Sequence, residues 1–305
     1  VKTTRLRLLQ DIRRDHWLYI MAVPGILYFI LFKYLPMGGI IIAFQDFHPF
    51  TGFTGSKWVG LKHFYRLFED PDFFTLLRNT LMLSVYQLVF AFPVPIILAL
   101  MLNELRREWF KRSLQTLVYI PHFMSWVVVV SMFFVIFESE RSIFQSLIES
   151  WGFENFSIMM DPGMFRPMYI LQVIWRDSGW GTVIYLAALA ALSPELYEAA
   201  KMDGAGRFRQ MWHITLPGIR STIVILLLLK LSDILETSFE HVFNLVNSLN
   251  RDVAEVFDTY VYRVGLINGQ LSYATSIGLF KGVVGLLLVI FANWLAKKFG
   301  EEGLY

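Results

Sequence analysis

The segment Glu198 to Pro217, EAAKMDGAGRFRQMWHITLP, gathers charge and glycine inside a chain that is otherwise mostly apolar. Its residue types leave its use open. Glu198 offers a carboxylate to pair, Ala199 and Ala200 permit close approach of another backbone, and Gly204 can take up positive φ without steric cost. Two uses fit these residue types. One is a knob that inserts into a partner's cleft. The other is a solvated connector whose charges are there because the loop is wet.

A second set of reactive side chains interrupts apolar stretches: Arg176 and Asp177 in one, Lys230, Asp233 and Glu236 in another. A charge at the centre of a bilayer costs about 2.5 to 3.5 kcal/mol on insertion scales, so these groups should face protein or water. They can pair with one another or line a pathway, and either satisfies the cost. Lys230 and Asp233, at i and i+3, can share a helix face; Arg176 and Asp177, as neighbours, are not expected to. The aromatics Trp175, Trp180 and Tyr185 could stack on sugar rings, although such residues also collect at membrane interfaces and in cores. His122, beside Pro121, has no other His, Asp or Glu at metal spacing and reads as a packed polar residue at a helix break. His213 reads as structural. The acids Asp46, Asp161 and Asp258 share no spacing that would mark a general acid and base for a membrane enzyme acting on lipid-linked sugars.

The elements that position these groups follow from composition. Of 305 residues, 55% are hydrophobic and 17% charged, with a mean hydropathy of +0.50. This exceeds the apolar content of ordinary soluble domains and makes a bilayer the expected solvent. The net charge of +2 gives no support to nucleic-acid binding. The absence of cysteine excludes disulfides and thiolate metal sites within the chain. The basic N-terminal stretch VKTTRLRLLQDIRRDHW lacks a following small-residue cleavage site and is expected to be a retained cytoplasmic arm.

A helix needs about 20 mostly apolar residues to cross the hydrocarbon layer. Six stretches qualify: residues 17–44 (with Pro24 and Pro36), 76–102, 114–137, 168–192, 219–240 and 273–296. With Arg220 counted in its loop, the terminal arms and the loops after the second and fourth spans hold 15 Lys and Arg, against 7 in the three opposite loops. Positively charged loops stay inside, which places both termini and the 198–217 segment in the cytoplasm. No internal repeat or low-complexity linker is visible. The expected division is therefore an arm (1–16), one transmembrane domain (17–297) and a cytoplasmic tail (298–305). In an opposite loop, Leu61, Phe64, Tyr65 and Phe68 have the spacing of an amphipathic helix lying on the membrane surface.

Local signals sharpen the cytoplasmic loop 193–217. Ser193 as N-cap, Pro194 at the first helical position, Glu195 in the first turn and Gly204 just past the end predict a short helix. A second helix is expected from about Gly206, with Phe208, Met211, Trp212 and Thr215 on one face and Arg207, Arg209 and Gln210 directed away.

The seven positions Glu198, Ala199, Ala200, Gly204, Ile214, Leu216 and Pro217 match, without departure, the EAA loop of permease subunits of binding-protein-dependent ABC importers. The resemblance extends along nearly the whole chain to carbohydrate-uptake permeases of the oligosaccharide and polysaccharide branch, through WVGLKHF, NTLMLSV, ALMLNELR, YIPHFMSWVVV, GWGTVIYLAALAALSPELYEAAKMDGAG, DTYVYRVGL and SYATSIGLFK. It implies an all-α integral membrane protein of the type I ABC importer permease fold, with six transmembrane helices, in the bacterial plasma (inner) membrane. It further implies that the loop is a coupling helix, with Glu198, Ala199, Ala200, Asp203, Gly204, Phe208, Met211, Trp212, Ile214, Leu216 and Pro217 facing a cytoplasmic ATPase.

No GxxxxGK[ST] segment occurs, so ATP is expected to be hydrolysed elsewhere. The partners implied are a second homologous permease, two nucleotide-binding subunits carrying ATP and Mg, and an extracytoplasmic solute-binding protein, with no cofactor in this chain. The branch includes transporters of alginate and pectin-derived fragments, which makes an acidic oligosaccharide the expected cargo. Trp175, Arg176, Asp177, Trp180, Asp233 and Glu236 are the candidates for its path. The acids Asp233, Glu236 and Glu240 oppose an anionic cargo unless the partner permease compensates them. The alternative is a secondary transporter with Asp233 and Glu236 as ion sites, but the paired repeats usual in such folds are not seen.

Overall fold

The computed structural model describes residues 14–138, 144, 150, 157–232 and 234–298. These are almost wholly helical. Three helices are singly long and apolar enough to cross a bilayer: α1 (His16–Phe44), α3 (Phe73–Asn103) and α13 (Leu271–Lys298). Three further bent pairs pass the same test together: α4 (Glu108–Phe123) with α5 (Trp126–Glu138), bent by 104°, α6 (Phe165–Ala190) with α7 (Pro194–Met202), by 69°, and α8 (Arg207–Gly218) with the helix beginning at Arg220, by 57°. The last, α9, is Arg220–Ser232. Shorter helices are α2 (Lys62–Glu69), α10 (Phe239–Leu245), α11 (Arg251–Ala254) and α12 (Phe257–Val261).

Two expected spans differ from simple rods. The stretch 114–137 is broken after Phe123, where Met124 is extended, so α4 and α5 diverge beside Pro121. The stretch 219–240 stops being helical after Ser232 and restarts at Phe239. Asp233 lies outside the described residues, as do most of the N-terminal arm and the tail beyond Lys298.

Prolines shape the long helices. Three wide π turns, Ile30–Tyr34, Gln87–Ala91 and Met211–Thr215, each end two residues before a proline: Pro36, Pro93 and Pro217. Proline cannot donate to the preceding turn and its ring crowds the carbonyl four residues back, so widening that turn lets the helix continue.

The chain comprises two compact units. The first includes the described residues up to Leu67 together with Val264–Leu279. In it, β1 (Gln45–Asp46) pairs antiparallel with β2 (Lys57–Trp58), Gln45 opposite Trp58. The buried His63 ring bonds the Gln45 carbonyl oxygen at 3.2 Å and approaches Asp46 Oδ1 at 3.1 Å. The Lys62 ammonium holds Asp46 below the usual carboxylate range, with a smaller contribution from His63. His16–Phe29 of α1 is mostly apolar all round and none of its residues is buried among the described residues, the pattern of a helix surrounded by lipid or another subunit. On α2, Tyr65 and Phe68 are exposed, as is Leu61 just before it, while His63 and Leu67 are buried, which fits an interfacial helix.

The second unit holds the main core: Leu83 of α3, Trp126, Val129 and Phe133 of α5, Phe165, Met168 and Tyr169 of α6, and Val242 and Leu245 of α10. Helix α6 runs against α3 and α4 through small residues. A Cβ at Gly179 would stand 1.9 Å from the Val118 carbonyl oxygen, so only glycine allows that crossing. One turn on, Thr182 donates to the Pro95 carbonyl at 3.3 Å and to its own helix at Ser178.

Candidate functional site

Helix α7 starts at Pro194 after an extended Ser193, whose side chain makes no capping bond. It ends in a Schellman closure: the Ala205 N–H donates to the Ala200 carbonyl at 2.8 Å and the Gly204 N–H to that of Lys201 at 3.0 Å. Gly204 has φ of +76° and nothing crowds it, so its requirement for glycine is conformational. The Gln210 amide, expected to point away, is instead buried and donates to the Ala205 carbonyl at 2.7 Å, bracing the turn. Across it, the Tyr197 and Thr215 hydroxyls bond at 3.0 Å.

The π turn at Met211 alters the expected apolar face of α8. Thr215 is buried and Met211 and Ile214 are half-buried, while Phe208 and Trp212 project outward with 79% and 63% of their surfaces exposed. Met202, at 88%, joins them from α7, a contribution that helical periodicity did not single out. Glu198, Ala199, Asp203 and Pro217 are exposed, and Ala200 and Leu216 half-buried. The loop is internally braced yet displays large apolar side chains.

The charged residues of α6 depart from the expectation that neighbours do not pair. Arg176 Nη1 reaches Asp177 Oδ1 at 2.8 Å because the guanidinium stem is long enough to fold across the helix surface. His122 Nδ1 meets the same oxygen at 3.1 Å, its ring stacked on Trp180 with centroids 4.9 Å apart and 2° from parallel. Arg176 also donates to the Met124 carbonyl at 2.9 Å, satisfying the backbone freed by the α4–α5 break.

A cavity of about 410 Å³ opens in the second unit among α3, α5, α6 and α9. Gln87, Trp126, Tyr169, Asp177, Tyr185, Lys230, Glu236 and Ser238 give it polar and aromatic walls. Gln87 donates to the Tyr169 hydroxyl at 2.8 Å. Asp177, Glu236 and Tyr185 thus meet at one cavity, whereas Trp175 packs on Phe133 and Trp180 on His122, outside its lining. Trp126 and Tyr169 line it instead. Their part was hidden from periodicity because they come from helices far apart in sequence.

Long apolar helices around a cavity walled by polar, aromatic and apolar side chains are the features expected of a membrane permease. The chain belongs to the family of binding-protein-dependent transport system inner membrane components, whose model matches residues 91–301. It is thus an ABC transporter permease with the all-helical fold of that class. It is 60% identical over 304 residues to the polygalacturonan/rhamnogalacturonan transport system permease protein YteP of Bacillus subtilis (strain 168), covering 100% of this chain and 95% of that one. Protein LplB of the same organism is 55% identical over 294 residues, 96% of this chain and 92% of that one. A chain of the crystal structure of a bacterial ABC transporter involved in the import of the acidic polysaccharide alginate superimposes with a TM-score of 0.87 at 38% identity, covering 96% of this chain and 99% of that chain. A second structure, of a bacterial alginate ABC transporter in complex with alginate pentasaccharide-bound periplasmic protein, gives 0.88 at 37%, covering 98% and 100%.

Proposed function

We propose that this chain is one permease subunit of an ATP-driven importer that carries an acidic oligosaccharide, of pectin-fragment or alginate type, from an extracytoplasmic solute-binding protein to the cytoplasm. In this reading residues 17–297 form six spans in the bacterial inner membrane, with the arm 1–16, the loop 193–217 and the tail 298–305 on the cytoplasmic side. A second permease completes the path, and two nucleotide-binding subunits supply the ATP and Mg chemistry. The observation that carries it is the outward display of Phe208 and Trp212 beside the Gly204 turn.

The physical basis is differential binding. ATP closes the nucleotide-binding pair, the two docked loops move together, and the bundle passes between two packings that face opposite sides. An internally braced loop transmits such motion where a soft one would absorb it. Support for an acidic sugar comes from the relatives and from the cavity: Asp177 is paired with Arg176, and Lys230 faces the space without an ion pair among the described residues. Glu236 faces it too and can accept sugar hydroxyls.

The test is co-purification with the ATPase subunits, crosslinking from positions in 198–217, and a saccharide screen for stimulated ATP hydrolysis with loaded binding protein. Crosslinks to a nucleotide-hydrolysing subunit and stimulation by oligogalacturonate or alginate fragments are expected. Transport that survives ATP depletion while the proton gradient is intact would overturn the reading.

A further inference from the structure

Between α9 and α10 the backbone at 234–238 is not helical, and two of its residues, Glu236 and Ser238, line the cavity. This strap is clamped on both sides of Glu236. The Ser84 hydroxyl of α3 donates to the Ile234 carbonyl oxygen. Beyond Glu236, the Asp258 Oδ2 of α12 accepts both the Thr237 N–H, at 3.2 Å, and the Thr237 hydroxyl, at 2.9 Å. The other oxygen of Asp258 receives the Lys281 ammonium of α13. One carboxylate therefore joins the strap to two helices.

The burial of these groups makes the arrangement costly to hold for packing alone. Lys281 is 7% exposed and Thr237 6%. A buried ion pair recovers its desolvation only with good geometry, and apolar residues of similar volume are often as stable. What the pair supplies is direction: with Lys281 on Oδ1, the Asp258 carboxylate is turned so that Oδ2 meets both donors of Thr237.

We propose that Asp258 and Lys281 are positioning residues for the transported sugar, fixing through Thr237 the cavity wall that presents Glu236 and Ser238. The inference rests on the reading of this cavity as the sugar path. Glu236 has no ion pair among the described residues, so its carboxylate is available to sugar hydroxyls only where the strap holds it. Lys281 acts at second hand and touches no sugar.

The test uses the whole reconstituted importer in proteoliposomes with saturating, trigalacturonate-loaded binding protein, so that capture by that protein does not set the rate. The quantity read is ATP hydrolysed per sugar delivered. Thr237→Val, and the double variant Asp258→Asn with Lys281→Met, which leaves no buried unpaired charge, are expected to raise it tenfold or more, with basal and stimulated ATPase rates within twofold of the parent. Thr237→Ser, which keeps the hydroxyl, should retain the parental ratio. If uptake and ATPase fall in proportion, leaving the ratio unchanged, the pair is structural and the proposal is overturned. If the parent importer delivers neither trigalacturonate nor an alginate trisaccharide, the sugar reading itself fails and the inference with it.

Discussion

The Trp126 indole and the His241 imidazole lie face to face, with ring centroids 3.6 Å apart and planes 6° from parallel. Tyr169 covers the other face of the imidazole at 4.4 Å, and the Arg176 guanidinium lies 4.4 Å from the Trp126 ring. The column unites α5, α6 and α10, and His241 is held in it by a 2.7 Å bond between Nε2 and Gln172 Oε1. Two of its rings, Trp126 and Tyr169, line the cavity. Trp126→Ala removes a buried ring from the centre of the column and is expected to cost about 3–5 kcal/mol, read as a fall in the thermal midpoint of the detergent-solubilised complex. Trp126→Phe, which keeps a ring, should recover most of that loss. Equal midpoints for Trp126→Ala and the parent would show that the column does not hold the three helices.

Gly204→Val places a β-branched residue at φ of +76°, where left-handed backbone costs about 1–2 kcal/mol for residues with a Cβ. The loop lies outside the core, so insertion and expression should persist. The Schellman closure should open, and uptake in proteoliposomes should fall at least tenfold as stimulation of ATP hydrolysis is lost. Unchanged transport would reject the turn as the coupling element.

Phe208→Ala and Trp212→Ala act on side chains that the described residues leave mostly exposed. Surface changes of this kind are usually within about 0.5 kcal/mol, so the permease's own stability should hold. Retention of the ATPase subunits through affinity purification should drop several-fold, most in the double variant. Loss of the permease fold, seen as aggregation in size-exclusion chromatography, would mean that the two rings serve internal packing instead.

Asp46 is held below its ordinary carboxylate value, chiefly by the bond from Lys62. A group depressed on folding stabilises above its unfolded value and ceases to do so as pH falls through its folded value. The β1–β2 hairpin should therefore loosen only in acid, below the ordinary carboxylate range. Faster hydrogen exchange at the Val59 and Gly60 amides, which donate to the Phe44 carbonyl, would report it. Lys62→Met should move the onset toward neutral pH. An onset that stays put in that variant would assign the loosening to another group.

Local chemistry made much of this protein legible before its fold. The apolar runs that became α1, α3 and α13 could be counted, and the end of α7 was marked by Gly204, because hydropathy and backbone sterics act within a few residues. The spacing from Glu198 to Pro217 identified the 198–217 loop as a unit. Tertiary structure decided what depends on distance in space: that Thr237, Asp258 and Lys281 meet, that Arg176 folds onto Asp177, and that Trp126 and Tyr169, not Trp175 and Trp180, line the cavity. Periodicity assigns a residue to a face of its own helix but is blind to which neighbour covers that face. The π turns ahead of Pro36, Pro93 and Pro217 also rotate the faces that an ideal helix would present, so outward Phe208 and buried Thr215 follow from packing and proline sterics together.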